Sequence, residues 1–148
     1  MRFIDLLPAA RVRVGLAARD KADLIEHLAG LLAGDGDIGL VRDALIARER
    51  LGTTALGQGV AIPHGRSASL EGARAAFVRL AEPIDFGAGD GQRVDLVAAL
   101  VVPAQFTDQH LKLLAELAEM FSDPDTTGAL RAAPDAAALR RLLARDHG

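Results

Sequence analysis

The sequence predicts an α/β fold: one domain over residues 1–148, with a mixed central sheet and helices on both faces. Three observations predict it. Stretches with apolar residues at helical spacing precede, separate and follow the strand-like segments. The segment 94–102, VDLVAALVV, is apolar on consecutive positions, as a strand buried on both faces must be. At 148 residues the chain is long enough for one real core, and no repeat, low-complexity tract or linker divides it.

The elements follow in order. RVRVGLA, residues 11–17, alternates and suits a strand. Residues 20–33 carry Leu24, Ile25, Leu28, Leu31 and Leu32 at helical spacing and end in GDGD. A second helix is predicted over 38–50, with Leu40, Val41, Leu45 and Ile46 as its apolar side and Gly52 as its stop. Residues 52–65 are rich in glycine and threonine, interrupted by the short apolar run VAI. RAAFVRL, residues 74–80, reads as a strand, and PIDFGAGDGQ as a short strand with a glycine-rich turn before the central strand. Helices are then predicted over 107–121, about 126–132, and 134–145.

Composition excludes several classes. Apolar residues make up 50% of the chain and charged ones 25%, which rules out a disordered polymer. A net charge of -3 without a basic block argues against nucleic acid and anionic membranes as partners. With no cysteine there are no disulfides, thiolate metal sites or cysteine nucleophiles. The N-terminus lacks a signal-peptide core, and the longest apolar run, 96–102, is too short to cross a bilayer. A cytoplasmic protein without membrane insertion is the expectation.

The chemistry concentrates on two of the four histidines. In GVAIPHGR, residues 59–66, Pro63 stiffens the backbone and keeps Ile62 extended, so His64 is presented from the rim of the sheet. Gly65 is expected to allow a sharp exit that leaves the ring uncovered on one side. His110 is placed in the first turn of a helix capped by Thr107, on the same stripe as Leu114, Leu117 and Phe121. It follows the central strand by a short loop, at a helix N-terminus that favours anions. Both histidines are therefore expected outside the carboxyl ends of strands, where ligands bind open α/β sheets. Two imidazoles there suit a phosphoryl group, one as nucleophile and the other as hydrogen-bonding support. The residues alone leave open a turn-closing role for His64 and a core-edge role for His110. His27, flanking an apolar stripe, and His147, beside the C-terminus, are expected to be inert.

Other motifs fail. GTTALGQGV lacks the lysine of a P-loop, and GAGDGQ precedes a strand where a dinucleotide fingerprint opens a helix. A metal hydrolase built on His64 and His110 lacks any HxH or HExxH anchor. No metal and no cofactor are expected.

RERLGTTALGQGVAIPHGR, residues 48–66, resembles the active-site segment of enzyme IIA domains of the bacterial phosphoenolpyruvate-dependent phosphotransferase system, fructose/mannitol class. VDLVAALVVPAQFTDQHLKLLAELAEMF, residues 94–121, is similar to the second motif of that class. The likeness runs from FIDLL to the terminal helix and is strongest to the nitrogen-related enzyme IIA, a stand-alone regulator. It implies a phosphotransferase component with a phosphohistidine intermediate. His64 would accept phosphate from a histidine-phosphorylated carrier protein, and His110 would stabilise the phosphoryl group without being phosphorylated. Arg48 matches the arginine of the family's Arg-Glu pair, and Thr54 a threonine bordering the site. Thr53 and Gln58 stand where nitrogen-related members commonly have serine and asparagine, and Arg66 where lysine is frequent; its plain reading is a solvated residue.

A carrier of this kind is expected to have a shallow site with an exposed nucleophile, a docking rim including Leu56 and Phe106, and a regulatory target such as a transporter or sensor kinase. Two alternatives remain: a sugar-uptake enzyme IIA passing phosphate to an enzyme IIB cysteine, and a binding module without phosphoryl transfer.

Overall fold

The computed structural model describes residues 1–105 and 108–145. Two short 3-10 turns, Phe3–Leu6 and Ala9–Arg11, lead into β1 (Val12–Leu16). Helices α1 (Lys21–Ala33) and α2 (Ile38–Glu49) follow, then β2 (Ala55–Gly57), β3 (Val60–Ala61) and β4 (His64–Arg66). The chain continues through β5 (Arg74–Ile84), β6 (Val94–Val102), α3 (Asp108–Phe121), α4 (Pro124–Ala132) and α5 (Ala136–Leu143).

The sheet is mixed, in the order β1-β5-β6-β3-β2, with β4 also paired to β6. β6 runs parallel to β3 and β4 but antiparallel to β5, and β1 lies parallel to β5. The alternation of side chains along a strand sorts β6 between two cores. Leu96, Ala98, Leu100 and Val102 pack with Leu113, Leu117, Leu130 and Leu139 from α3, α4 and α5. Val97, Ala99 and Val101 pack with Leu24, Leu28, Val41 and Leu45 from α1 and α2. The continuous apolar run in the sequence has this cause: both faces of β6 are covered.

Aspartates set the starts of four helices. Asp20, Asp37, Asp123 and Asp135 each accept a hydrogen bond from a backbone N–H in the first turn that follows. This capping corrects two predicted boundaries. α4 starts at Pro124, not near 126, because Asp123 caps it and proline suits the first helical position. α5 starts at Ala136, behind its cap Asp135, and ends at Leu143. The strand predicted over 74–80 extends to Ile84 and absorbs the separate short strand. Its pairing with β6 becomes irregular between Arg79 and Ile84, where Pro83 is tolerated. The glycine-rich run after it turns the chain between antiparallel strands, as predicted, with Asp90 accepting from the Gln58 and Gln92 N–H groups. The Thr107 cap lies outside the described residues.

Candidate active site

The site grows from one edge of β6. β3 pairs with Leu96 and Val97, and β4 resumes on the same edge at Leu100, Val101 and Val102. Between them Ile62 donates its N–H to the Thr54 carbonyl at 3.1 Å, and the Pro63 carbonyl accepts from Leu100 at 3.0 Å. Proline interrupts only the donors of the ladder, so the chain is held on both sides of His64. His64 thus lies beside Leu100, near the carboxyl end of the central strand, as the sequence predicts.

Nδ1 of His64 is 2.8 Å from the Ile62 carbonyl oxygen. A carbonyl can only accept, so Nδ1 carries the proton and Nε2 keeps its lone pair in the neutral ring. The His110 ring stands 5.3 Å away between centroids, tilted by 59°. The two histidines that the sequence singled out converge. Among the described residues, the buried Nδ1 of His110 has no hydrogen-bond partner. An unsatisfied buried nitrogen costs about 1–3 kcal/mol, which a core-closing histidine would avoid by bonding a carbonyl.

Both rings favour the neutral form. Burial pushes the His64 pKa down, its bond to Ile62 opposes this, and the charges of Arg48 and Glu49 act in opposite directions. Burial pushes His110 down to about 4, with His64 and the charge of Arg66 adding to the effect.

The expectation of an exposed nucleophile needs correction. His64 is 8% exposed and His110 6%, so both rings are recessed. The reason lies at Gly65, whose backbone passes against α2: a Cβ there would stand 2.7 Å from the Ala44 carbonyl oxygen. Gly65 permits this close approach and continues β4, instead of making a sharp exit. Gly65→Ala should therefore force α2 away and destabilise the protein by about 1–3 kcal/mol, read from urea unfolding. An unchanged midpoint would mean that α2 yields freely there.

Arg48 donates from Nη1 to the Gly52 carbonyl at 2.9 Å, while its charge reaches His64. Thr54 is buried, and both its hydroxyl and its N–H bond the carboxylate of Glu49. Glu49, the acidic member of the Arg-Glu pair, is the residue to which the sequence assigned no role. Its side chain is 6% exposed and forms an ion pair with Lys21 at 2.6 Å. A signal was available: two threonines follow an acidic residue at a helix C-terminus, where the macrodipole disfavours negative charge. Arg66 is exposed, in keeping with its plain reading.

Leu56 is exposed, and so are Leu51 and Leu111, which the sequence did not single out. Phe106 and His147 lie outside the described residues. His27 pairs with Asp23 on the exposed side of α1 at 3.8 Å. Among the described residues, no cluster of three or more His, Cys, Asp or Glu side chains could hold a metal ion.

The family profile described as "Phosphoenolpyruvate-dependent sugar phosphotransferase system, EIIA 2" matches residues 5–146. The chain belongs to this EIIA 2 family. It is 41% identical over 147 residues to a nitrogen regulatory protein of Bradyrhizobium diazoefficiens, covering 97% of this chain and 95% of that one. A nitrogen regulatory protein of Pseudomonas aeruginosa is 36% identical over 146 residues, with 97% and 95% covered. The crystal structure of nitrogen regulatory protein IIA-Ntr from Neisseria meningitidis superposes with a TM-score of 0.91 at 38% identity, covering 95% of this chain and 97% of that one. The mixed sheet of this EIIA domain, with α1 and α2 on one face and α3 to α5 on the other, agrees with the predicted fold class. Among its described residues no helix is long and apolar enough to cross a membrane.

Proposed function

We propose that residues 1–148 act as a single cytoplasmic phosphocarrier domain with a regulatory output. The observation that carries this reading is the hydrogen bond from His64 Nδ1–H to the Ile62 carbonyl. It leaves the Nε2 lone pair as nucleophile beside a second neutral imidazole. The donor is a phosphohistidine on a small carrier protein. Nε2 of His64 forms a bond to phosphorus as the donor's P–N bond breaks, and that electron pair returns to the donor ring. No proton has to move, because Nδ1 keeps its proton, donated to the Ile62 carbonyl, throughout. The positive charge that develops on the His64 ring strengthens that bond, and the phosphoryl oxygens find hydrogen-bonding support at His110. Arg48 adds positive charge to the site's surroundings. Thr54 holds the preceding loop.

The exposed Leu51, Leu56 and Leu111 offer apolar contacts to a transient partner. The regulatory output rests on likeness to relatives called nitrogen regulatory proteins. The sugar-uptake reading is supported by the wording of the family description, and transfer from the phosphorylated protein to an enzyme IIB cysteine would favour it.

Intact mass measured after incubation with enzyme I, the carrier and phosphoenolpyruvate tests the proposal. One phosphoryl group, stable in alkali and lost in acid, is expected; no gain with an active carrier would favour a binding module.

The pH dependence has a defined sign. Protonation removes the nucleophilic lone pair, and the His64 pKa lies below its ordinary value of 6.5. Acceptance should fall as pH drops through that lowered value, with an inflection below 6.5. A stopped-flow profile with its inflection above 6.5 would contradict the burial argument.

A further inference from the structure

The ion pair between Lys21 and Glu49 links the start of α1 to the nucleophile. Lys21 is the first residue of α1 and Glu49 the last of α2. Lys21 Nζ lies 2.6 Å from Glu49 Oε2, 3.4 Å from the Phe86 carbonyl oxygen, and 4.4 Å from the centroid of the Phe86 ring. The same Phe86 carbonyl accepts the Thr53 hydroxyl at 2.8 Å. The Glu49 carboxylate receives the hydroxyl and the N–H of Thr54. Thr54 in turn presents its carbonyl to Ile62 N–H, and the Ile62 carbonyl accepts the hydrogen bond from His64 Nδ1–H. One chain of contacts therefore runs from Lys21 through Glu49, Thr54 and Ile62 to the ring.

Glu49 is buried at a helix C-terminus, where neither solvent nor the macrodipole supports a negative charge. Its doubly accepting carboxylate is held there by Lys21, the cation in contact with it. We propose that Lys21 is a positioning residue for His64. By holding the Glu49 carboxylate in place, it fixes the β2–β3 hairpin that runs from Thr54 to Ile62, and so the proton on Nδ1 of the nucleophile. Without it, the Glu49 carboxylate turns to solvent and releases Thr54. The Ile62 carbonyl is then less firmly placed, and the His64 proton distributes over both ring nitrogens.

This inference rests on the phosphocarrier reading for its kinetic consequence, but its structural part can be tested in the resting protein. In long-range 1H–15N spectra at pH 7.5, wild type should show His64 with the proton on Nδ1. Lys21→Met should show a mixed tautomer and accept phosphate about tenfold more slowly at saturating carrier, with KM unchanged, because the apolar contacts offered to the partner are untouched. Lys21→Arg keeps the charge and should restore both readouts. Lys21→Gln, which keeps a donor without the charge, should fall between, and it stands in for Lys21→Met if that variant does not fold. A folded Lys21→Met or Lys21→Gln protein with the wild-type tautomer and rate would overturn the proposal. If wild type accepts no phosphoryl group, the phosphocarrier reading fails, while the tautomer comparison still decides the role of Lys21.

Discussion

His64→Ala is expected to lower phosphoryl acceptance by on the order of 10³-fold or more, to the background of the assay, since no other group replaces a lost nucleophile. The substitution removes one side-chain hydrogen bond, to Ile62, worth about 1 kcal/mol. The sheet edge itself is held by backbone bonds to Leu100 and Val102, so the variant should fold and give a clean negative. Because the nucleophilic atom is Nε2, His64→Gln should be equally inactive despite its amide: it can mimic a hydrogen bond but has no lone pair basic enough to attack phosphorus. Intact mass and quench-flow rates on both variants make the check. A phosphoryl group still appearing at a comparable rate would move the nucleophile elsewhere, with His110 as the next group to examine.

His110→Ala is expected to slow acceptance by about 10²–10³-fold without changing its stoichiometry, the cost typical of losing one preorganised donor to a developing oxyanion. The resting protein shows why the effect should be large. The His110 ring is buried and its Nδ1 is unsatisfied among the described residues, an arrangement that costs stability unless an incoming group profits from it. Burial and the neighbouring charges hold its pKa at about 4, so the ring enters the reaction neutral. Once His64 carries a phosphoryl dianion, the nearby negative charge favours protonation of His110, and its pKa should rise. NMR titration of His110 before and after phosphorylation reads that shift directly. A rate near wild type in His110→Ala, or an unmoved titration, would reduce His110 to a packing residue.

Much of this site was legible from local pattern. The double-sided burial of β6 was visible as an uninterrupted apolar run, and His110 belonged to a helical stripe whose other members enter the core. His64 stood out because proline and glycine flank it, although glycine's reason proved to be the proximity of Ala44. What escaped were relations between distant segments. Lys21 and Glu49 lie on different helices, and nothing in the periodicity of either announces that they meet. The depth of His64 escaped for the same reason, since it depends on how closely α2 approaches β4. The boundaries of α4 and α5 were misplaced by weighing apolar periodicity over the aspartates that cap them. The 3-10 turns at the N-terminus are too short to carry a period at all.

The nitrogen of His64 that reacts decides the mechanism. Long-range 1H–15N spectra of the protein phosphorylated from phosphoenolpyruvate through the carrier would identify it. A phosphoryl group on Nε2 of His64, with Nδ1 still protonated and bonded to the Ile62 carbonyl, is the predicted result. Phosphate on Nδ1, or on His110, would contradict it.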